Sequence, residues 1–412
     1  MANLAAHRFV LFLLCFISRA FTFHINSRAI AQGSRTRFPE AARPTRSAIQ
    51  LADDATRIEE LSEERKANLF QFLLRDLQVE GVPLLAVDAD QVNTLQAAIW
   101  VGLAELCDQT SADRACMVFE DIPVHTLRSF VDDFMLMKTQ NRIMSVVPEL
   151  GRVSLSLVGN GVGPAILIDV EEAKSEDIST VEIDNSEPQL SAAMKTFYDR
   201  MVDETDAYPY KKNGTPTSFK ACRRSDVPHI MSSFWNCVCE LQAKDEDSLG
   251  SVVLMIPGID THDRFTVISE LLSRSLCLYQ GEKLFDLMHL FPDYDRSRIY
   301  PADEAAFGHI PPLGWLRPML RNIGDEQAAE QLTDEDLALS NYQRRSPMTS
   351  VIIKRRSLID TESKRVADLK LDTGETVSAD AIQPYAGNAK FLSSQGERSL
   401  RESLANERSI LE

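Results

Sequence analysis

Apolar positions recur at helical spacing over residues 58–78, where Leu61, Leu69, Phe72, Leu73 and Leu77 stand among charges. They do so again over 88–107, with Leu95, Ile99, Trp100 and Leu103. Side chains three and four apart share one face of a helix, so both segments predict amphipathic helices. Ala115-Cys-Met-Val-Phe119 is a short unbroken apolar run, the pattern of a buried strand, and Val153-Ser-Leu-Ser-Leu-Val158 alternates with period two. Residues 125–138 return to helical spacing between them.

The second half of the chain alternates more regularly. Residues 192–202 predict a helix, 217–222 a strand, and 227–242 a helix that starts at Asp226 as N-cap with Pro228 in its first turn. Residues 251–256 form a buried strand pattern closed by Pro257-Gly258; 265–278 read as a helix and 285–291 as a strand ending at Pro292. Such β/α alternation predicts an α/β fold, two small α/β domains with helices packed on central β-sheets. The domains are expected at 57–170 and 191–360, joined by the acidic stretch 171–190, with an insertion at about 298–338 in the second. A small hairpin around Asp372-Thr-Gly374 is expected within 361–386, followed by a polar tail, frayed or one exposed helix, over 387–412.

The first fifty residues differ in kind. His7 and Arg8 precede an apolar run, Phe9 to Ile17, that is too short to span a bilayer, and Ser18-Arg-Ala20 offers a small-residue cleavage signal. Residues 1–20 therefore read as a signal peptide. Residues 21–50 carry five arginines against Glu40 alone, the composition of a transit peptide. The tandem resembles the two-part plastid address of algae with secondary plastids, with secretion as the alternative destination. Six cysteines remain beyond it without the dense spacing of a disulfide scaffold, which suits a reducing stroma.

The whole chain of 412 residues has a net charge of −17; the first fifty hold seven Arg and one Glu, so the remainder stands at −23. A surface this acidic repels phosphate backbones, and general nucleic-acid binding is excluded as an expectation. No later stretch is apolar for long enough to span a membrane. Against this background Asn341-Tyr-Gln-Arg-Arg-Ser-Pro-Met-Thr-Ser-Val-Ile-Ile-Lys-Arg-Arg356 packs five cations into sixteen positions; its last three are expected to be an exposed basic face.

Few motifs carry chemistry. Gly159-Asn-Gly161-Val-Gly163 follows a strand, but a dinucleotide loop needs a helix after it, and the next residues read as another strand. A hairpin is the expectation there. Cys237-Val-Cys239 inside a helix directs its sulfurs apart, so packing is favoured over metal binding, and no histidines stand at ligand spacing. No cofactor or metal is expected.

Three blocks do carry a likeness: Asp247 to Pro257, Leu284 to Tyr294, and Asn341-Tyr-Gln-Arg-Arg-Ser-Pro347. Together, over about 192–360, they resemble the domain-of-unknown-function family 1415, whose blocks run as a strand ending in Pro, then FHPDY, then NYTNRSP. The chain keeps Pro292-Asp293-Tyr294 and Asn341-Tyr342 with Arg345-Ser346-Pro347. Where the resemblance implies a cysteine in a CPFA motif this chain has Tyr208, and where it implies a histidine it has Phe291. Cysteine and histidine would be the family's nucleophile and base, so their loss points away from catalysis.

The candidate ligand-binding residues are thus Asp293, Tyr294, Asn341, Arg344, Arg345, Ser346 and Tyr208. Ser346 and Pro347 could open a helix whose free N–H groups bind an anion. Alternatively, β-branched Thr349 to Ile353 forms a strand and Arg345 pairs with Asp293. The expected function is that of a plastid binding or assembly factor engaging a protein partner, with an enzyme acting on a small anionic, phosphorylated or carboxylated, ligand as the alternative.

Overall fold

The computed structural model describes residues 84–87, 92–108, 114–119, 122–158, 165–171, 186–203, 214–222, 224–301 and 303–412. The leader, the helix expected over 58–78 and Tyr208 lie outside the described residues. All the described residues fall within one compact unit.

The fold is α/β. Its first sheet is built from β1 (Leu84–Val87), β2 (Arg114–Phe119), β3 (Val153–Val158) and β4 (Ala165–Val170), in the order β1-β2-β4-β3. β1 and β2 are parallel and need a crossover, which helix α1 (Val92–Asp108) supplies. Helix α2 (Val124–Lys138) follows β2. β3 and β4 pair antiparallel with Val158 opposite Ala165, so Gly159 to Gly163 connects a hairpin, and the nucleotide-loop alternative fails for want of a following helix.

The second sheet repeats this plan. Helix α3 (Glu187–Asp203) leads to β5 (Thr217–Ala221), helix α4 (Val227–Ala243) crosses to parallel β6 (Ser251–Met255), and helix α5 (His262–Leu278) leads to β7 (Phe285–Leu290). β8 (Ser350–Arg355) then lies between β6 and β7, antiparallel to both, giving the order β5-β6-β8-β7. In each sheet the strands stand first, second, fourth, third. The units differ in the link from third to fourth strand, which occupies residues 159–164 in one and 291–349 in the other.

Equivalent helices meet at the seam, where α1 packs on α4. One hydrophobic cluster includes Trp100 and Phe134 from the first unit and Phe234 and Trp235 from the second. Polar contacts reinforce it. His229 in α4 bonds Asp226 Oδ1 at 2.6 Å and Asp108 Oδ2 of α1 at 3.0 Å, and Arg264 Nη2 donates to Glu149 at 2.7 Å. Asp226 caps α4 as its sequence predicts, accepting from the His229 backbone N–H. The other face of the second sheet is covered by α3, whose Leu190, Met194 and Phe197 meet Met255, Leu290 and Ile352.

The long connection folds into short helices at Arg296–Ile299, Leu316–Asn322, Glu326–Gln331 and Asp334–Leu339. After β8 comes the expected hairpin, β9 (Ala367–Lys370) with β10 (Thr376–Ala379), turning at Gly374 with φ +88°. The segment read as a polar tail belongs to helix α6 (Ile382–Arg408), interrupted at Gly396 with φ +74°. It is not merely solvated: Leu392, Leu400 and Leu404 are buried against Tyr342, and Glu407 pairs with Arg200 of α3 at 2.5 Å.

The basic face expected at residues 354–356 is corrected by the sheet order. β8 is an inner strand, so Lys354 is 5 % exposed and burial lowers its pKa to about 8. Arg355 turns back onto the end of α4, donating to the carbonyls of Leu241 and Lys244, acceptors that a helix C-terminus leaves free, and to that of Leu249 in the loop beyond.

Candidate functional site

The break between β7 and β8 builds the site. β7 runs out at Leu290, and Pro292-Asp293 turns the chain away from the sheet, which places Asp293 beyond a strand end where α/β sheets seat ligands. Across from it, the short 3-10 turn Ser340–Gln343 brings Tyr342 and Arg345 back ahead of β8. His262, the first residue of α5, and Arg401 and Arg408 on the last part of α6 complete an open cleft of about 770 Å³. That volume suits a small ligand, whose pockets span roughly 300–1,000 Å³.

Arginine dominates the wall. Arg298, Arg345, Arg401 and Arg408 face acidic Asp293, Asp295 and Glu412. The acids are partly committed: Asp293 takes Arg408 at 3.3 Å, and Asp295 caps the helix at Arg296 by accepting from the Ser297 N–H and hydroxyl. Arg401 is held by Glu397 at 2.5 Å. Arg298 and Arg345 have no carboxylate within ion-pair distance among the described residues.

Arg345 is also oriented. Its guanidinium lies over the Tyr342 ring, 4.3 Å from the centroid, and Nε donates to the Tyr294 carbonyl at 3.1 Å. Stacking and one bond fix the plane of the fork. Both terminal nitrogens are left for a bidentate acceptor such as a carboxylate or phosphate. Arg408 donates through Nη2 to the Pro292 carbonyl at 2.7 Å, while its Nε has no acceptor. His262 bonds the Asp293 carbonyl through Nε2 at 2.8 Å and meets the Phe291 ring edge-on.

The residues expected from sequence divide between the cleft and the wall behind it. Asp293 and Arg345 line the cleft, and Tyr294 contributes its backbone carbonyl while its side chain is fully buried. Asn341 is buried, its Oδ1 accepting from the Arg296 N–H at 2.9 Å. Ser346 donates to the Met348 carbonyl at 2.6 Å; strand β8 follows, so no helix begins there and no helix terminus offers an anion site. Arg344 is buried away from solvent. Arg345 does not pair with Asp293, whose partner is Arg408. Sequence reading missed Arg298, Arg401, Arg408 and His262, because they come from a connection and a C-terminal helix without any motif.

Thiol chemistry finds no footing here. Burial pushes Cys107 up to about 11 and Cys116, Cys239 and Cys277 up to about 12, and none of them lines the cleft. Among the described residues no group of three or more His, Cys, Asp or Glu is placed to hold a metal ion. No helix of the described residues is long and apolar enough to cross a membrane. Fold and cleft together define an α/β protein of two like units with an arginine-lined recess in the second. No family model, curated protein or solved structure matches the chain.

Proposed function

We propose that the cleft binds a small molecule carrying a carboxylate or phosphate, and that the protein works by binding rather than by catalysis. The observation that carries this reading is Arg345, stacked on Tyr342 and tethered to the Tyr294 carbonyl with its terminal nitrogens uncommitted. Arg298 adds a donor on the same wall. In a chain this acidic, a recess rich in arginine draws an anion inward while the rest of the surface repels it.

Binding rather than turnover is favoured because the thiols are buried and hard to ionise. The family likeness enters here as part of the proposal. The second unit is read as a degenerate relative of family 1415, supported by the fact that its three blocks fall on β6, on β7 and at the entry to β8. The tandem leader supports placing the protein in a plastid, where a protein partner could receive the liganded form.

Titration calorimetry with a panel of phosphates, nucleotides and carboxylates tests the reading. One class should bind, and Arg345→Ala should weaken it at least tenfold, the effect of losing a charge-assisted bond of about 1.5–3 kcal/mol. A panel without any binder, or a binder indifferent to Arg345→Ala and Arg298→Ala, overturns it. His262 at the rim favours a second reading, an enzyme acting on the same anion. Chemical change of the bound molecule, abolished by His262→Gln with affinity kept, would establish that reading instead.

A further inference from the structure

Arg344, next in sequence to the cleft arginine, is 1 % exposed. Among the described residues its guanidinium has one partner, the Tyr385 hydroxyl, 3.2 Å from Nη2. Nε and Nη1 have none, and among the described residues no carboxylate lies within ion-pair distance. A buried cation without counter-charge is strongly unfavourable, so the arrangement asks for an acceptor.

The neighbouring rings point the same way. His309, 5 % exposed, stacks on His289 at 4.9 Å and bonds the Tyr294 hydroxyl through Nδ1 at 3.1 Å. With the Tyr294 hydroxyl as donor to Nδ1, the imidazole carries its own hydrogen on Nε2. That Nε2 is buried and also without a partner. His289 is engaged elsewhere, its Nε2 on Ser273 Oγ at 2.8 Å.

Burial, and the charge of Arg344 with it, keeps both rings neutral, so neither offsets nor adds to that charge. The guanidinium of Arg296 is spent on the carbonyls of Ile310, Tyr300, Pro301 and Glu304, which satisfy its donors and leave its charge in place. Asp286 stands opposite Lys354 in the ladder, where each acts on the other.

We propose that a monovalent anion of halide size, chloride under ordinary conditions, is bound by Arg344 Nε and Nη1 together with His309 Nε2. Water would accept from these N–H groups but leave the charge of Arg344 unanswered; an anion does both. Such an ion joins three parts of the chain: the long connection at His309, the block before β8 at Arg344 and, through Tyr385, helix α6. It is separate from the cleft, so Arg345→Ala leaves it in place.

Crystals soaked in sodium bromide should show an anomalous peak at hydrogen-bond distance from Arg344 Nε. At fixed ionic strength, replacing gluconate by chloride should raise the unfolding temperature with the logarithm of chloride concentration, and Arg344→Met should remove that dependence. A water refined at the site without anomalous signal overturns the proposal. So does a bromide peak with no halide-dependent unfolding, which would mean binding at crystal concentration only. Should Arg344→Met fail to fold, the bromide peak and the halide dependence of the unsubstituted protein decide together.

Discussion

The two units share one strand plan and differ in what joins their third and fourth strands. In the first, six positions separate Val158 from its antiparallel partner Ala165. In the second, residues 291–349 leave the sheet before the chain returns as β8, which pulls the ends of β7 and β8 apart in sequence while they stay paired in space. The cleft and the buried Arg344 cluster both sit at that interruption. In this chain the cleft and the buried arginine collect where the simplest connection of the sheet is replaced by a long one.

The comparison breaks at once if the units unfold separately. Trp235 is fully buried in the cluster that both units share, so Trp235→Ala should lower stability by about 3–5 kcal/mol. Denaturation should remain a single transition; two resolved transitions by tryptophan fluorescence and circular dichroism would show that the seam does not couple them.

Acid should separate the units by a different route. His289 and His309 are buried and neutral, with His289 held down to about 3 by burial and by Arg344, whereas His125 of the first unit is exposed. The unfolded chain takes up protons below about pH 6.5 and the folded one does not, so stability falls as pH drops through that value. At pH 5 the loss from His289 is roughly 2 kcal/mol. Hydrogen exchange should show it first at β7 and the connection, and the His289→Gln, His309→Gln pair should flatten it.

Gly308 sharpens the point at a single residue. With φ +80°, an added Cβ would stand 2.6 Å from His289 Cδ2, so Gly308→Ala should cost roughly 1–3 kcal/mol by strain and crowding. A melting temperature equal to that of the unsubstituted protein would show that the connection is not held against β7. The smallest effect belongs to the seam. Burial lowers the pKa of His229, but its bonds to Asp226 and then Asp108 outweigh this and raise it above the ordinary value. Its contribution, at most about 1 kcal/mol, is complete below about pH 6.5 and is lost as pH rises through the folded value. His229→Gln should therefore weaken the protein at pH 6 and hardly at all at pH 9, by urea midpoints.

What could be read from sequence followed from local physics. The apolar runs 115–119 and 251–256 could hardly be other than inner strands, Asp226 with Pro228 marks a helix start wherever it stands, and Pro292-Asp293 announces a strand end. The rest depended on partners distant in the chain. The repeated strand order depends on pairings between strands distant in the chain, which no local pattern fixes, although α1 and α4 match in register at Trp100 and Trp235, Glu105 and Glu240, and Leu106 and Leu241. Lys354-Arg355-Arg356 reads as a surface until β7 is found to cover one side of β8. Arg401 and Arg408 belong to a polar helix whose purpose appears only when Leu400 and Leu404 dock beside Tyr342. Of the expected site, Asp293 and Arg345 were legible because they flank strand ends; Asn341, Tyr294 and Ser346 carried the same local signal but serve the wall.

The left-handed joint at Gly396 has a consequence for the order in which the protein matures. Beyond it come Arg401, Leu404 and Arg408, which form one side of the cleft. A chain emerging from the ribosome builds domains from its N-terminal side, so both sheets and the Arg345 fork can be in place before these residues arrive. Without them the cleft keeps Arg298 and Arg345 but loses that side. One side of the cleft is thus built by the residues of α6 beyond this joint.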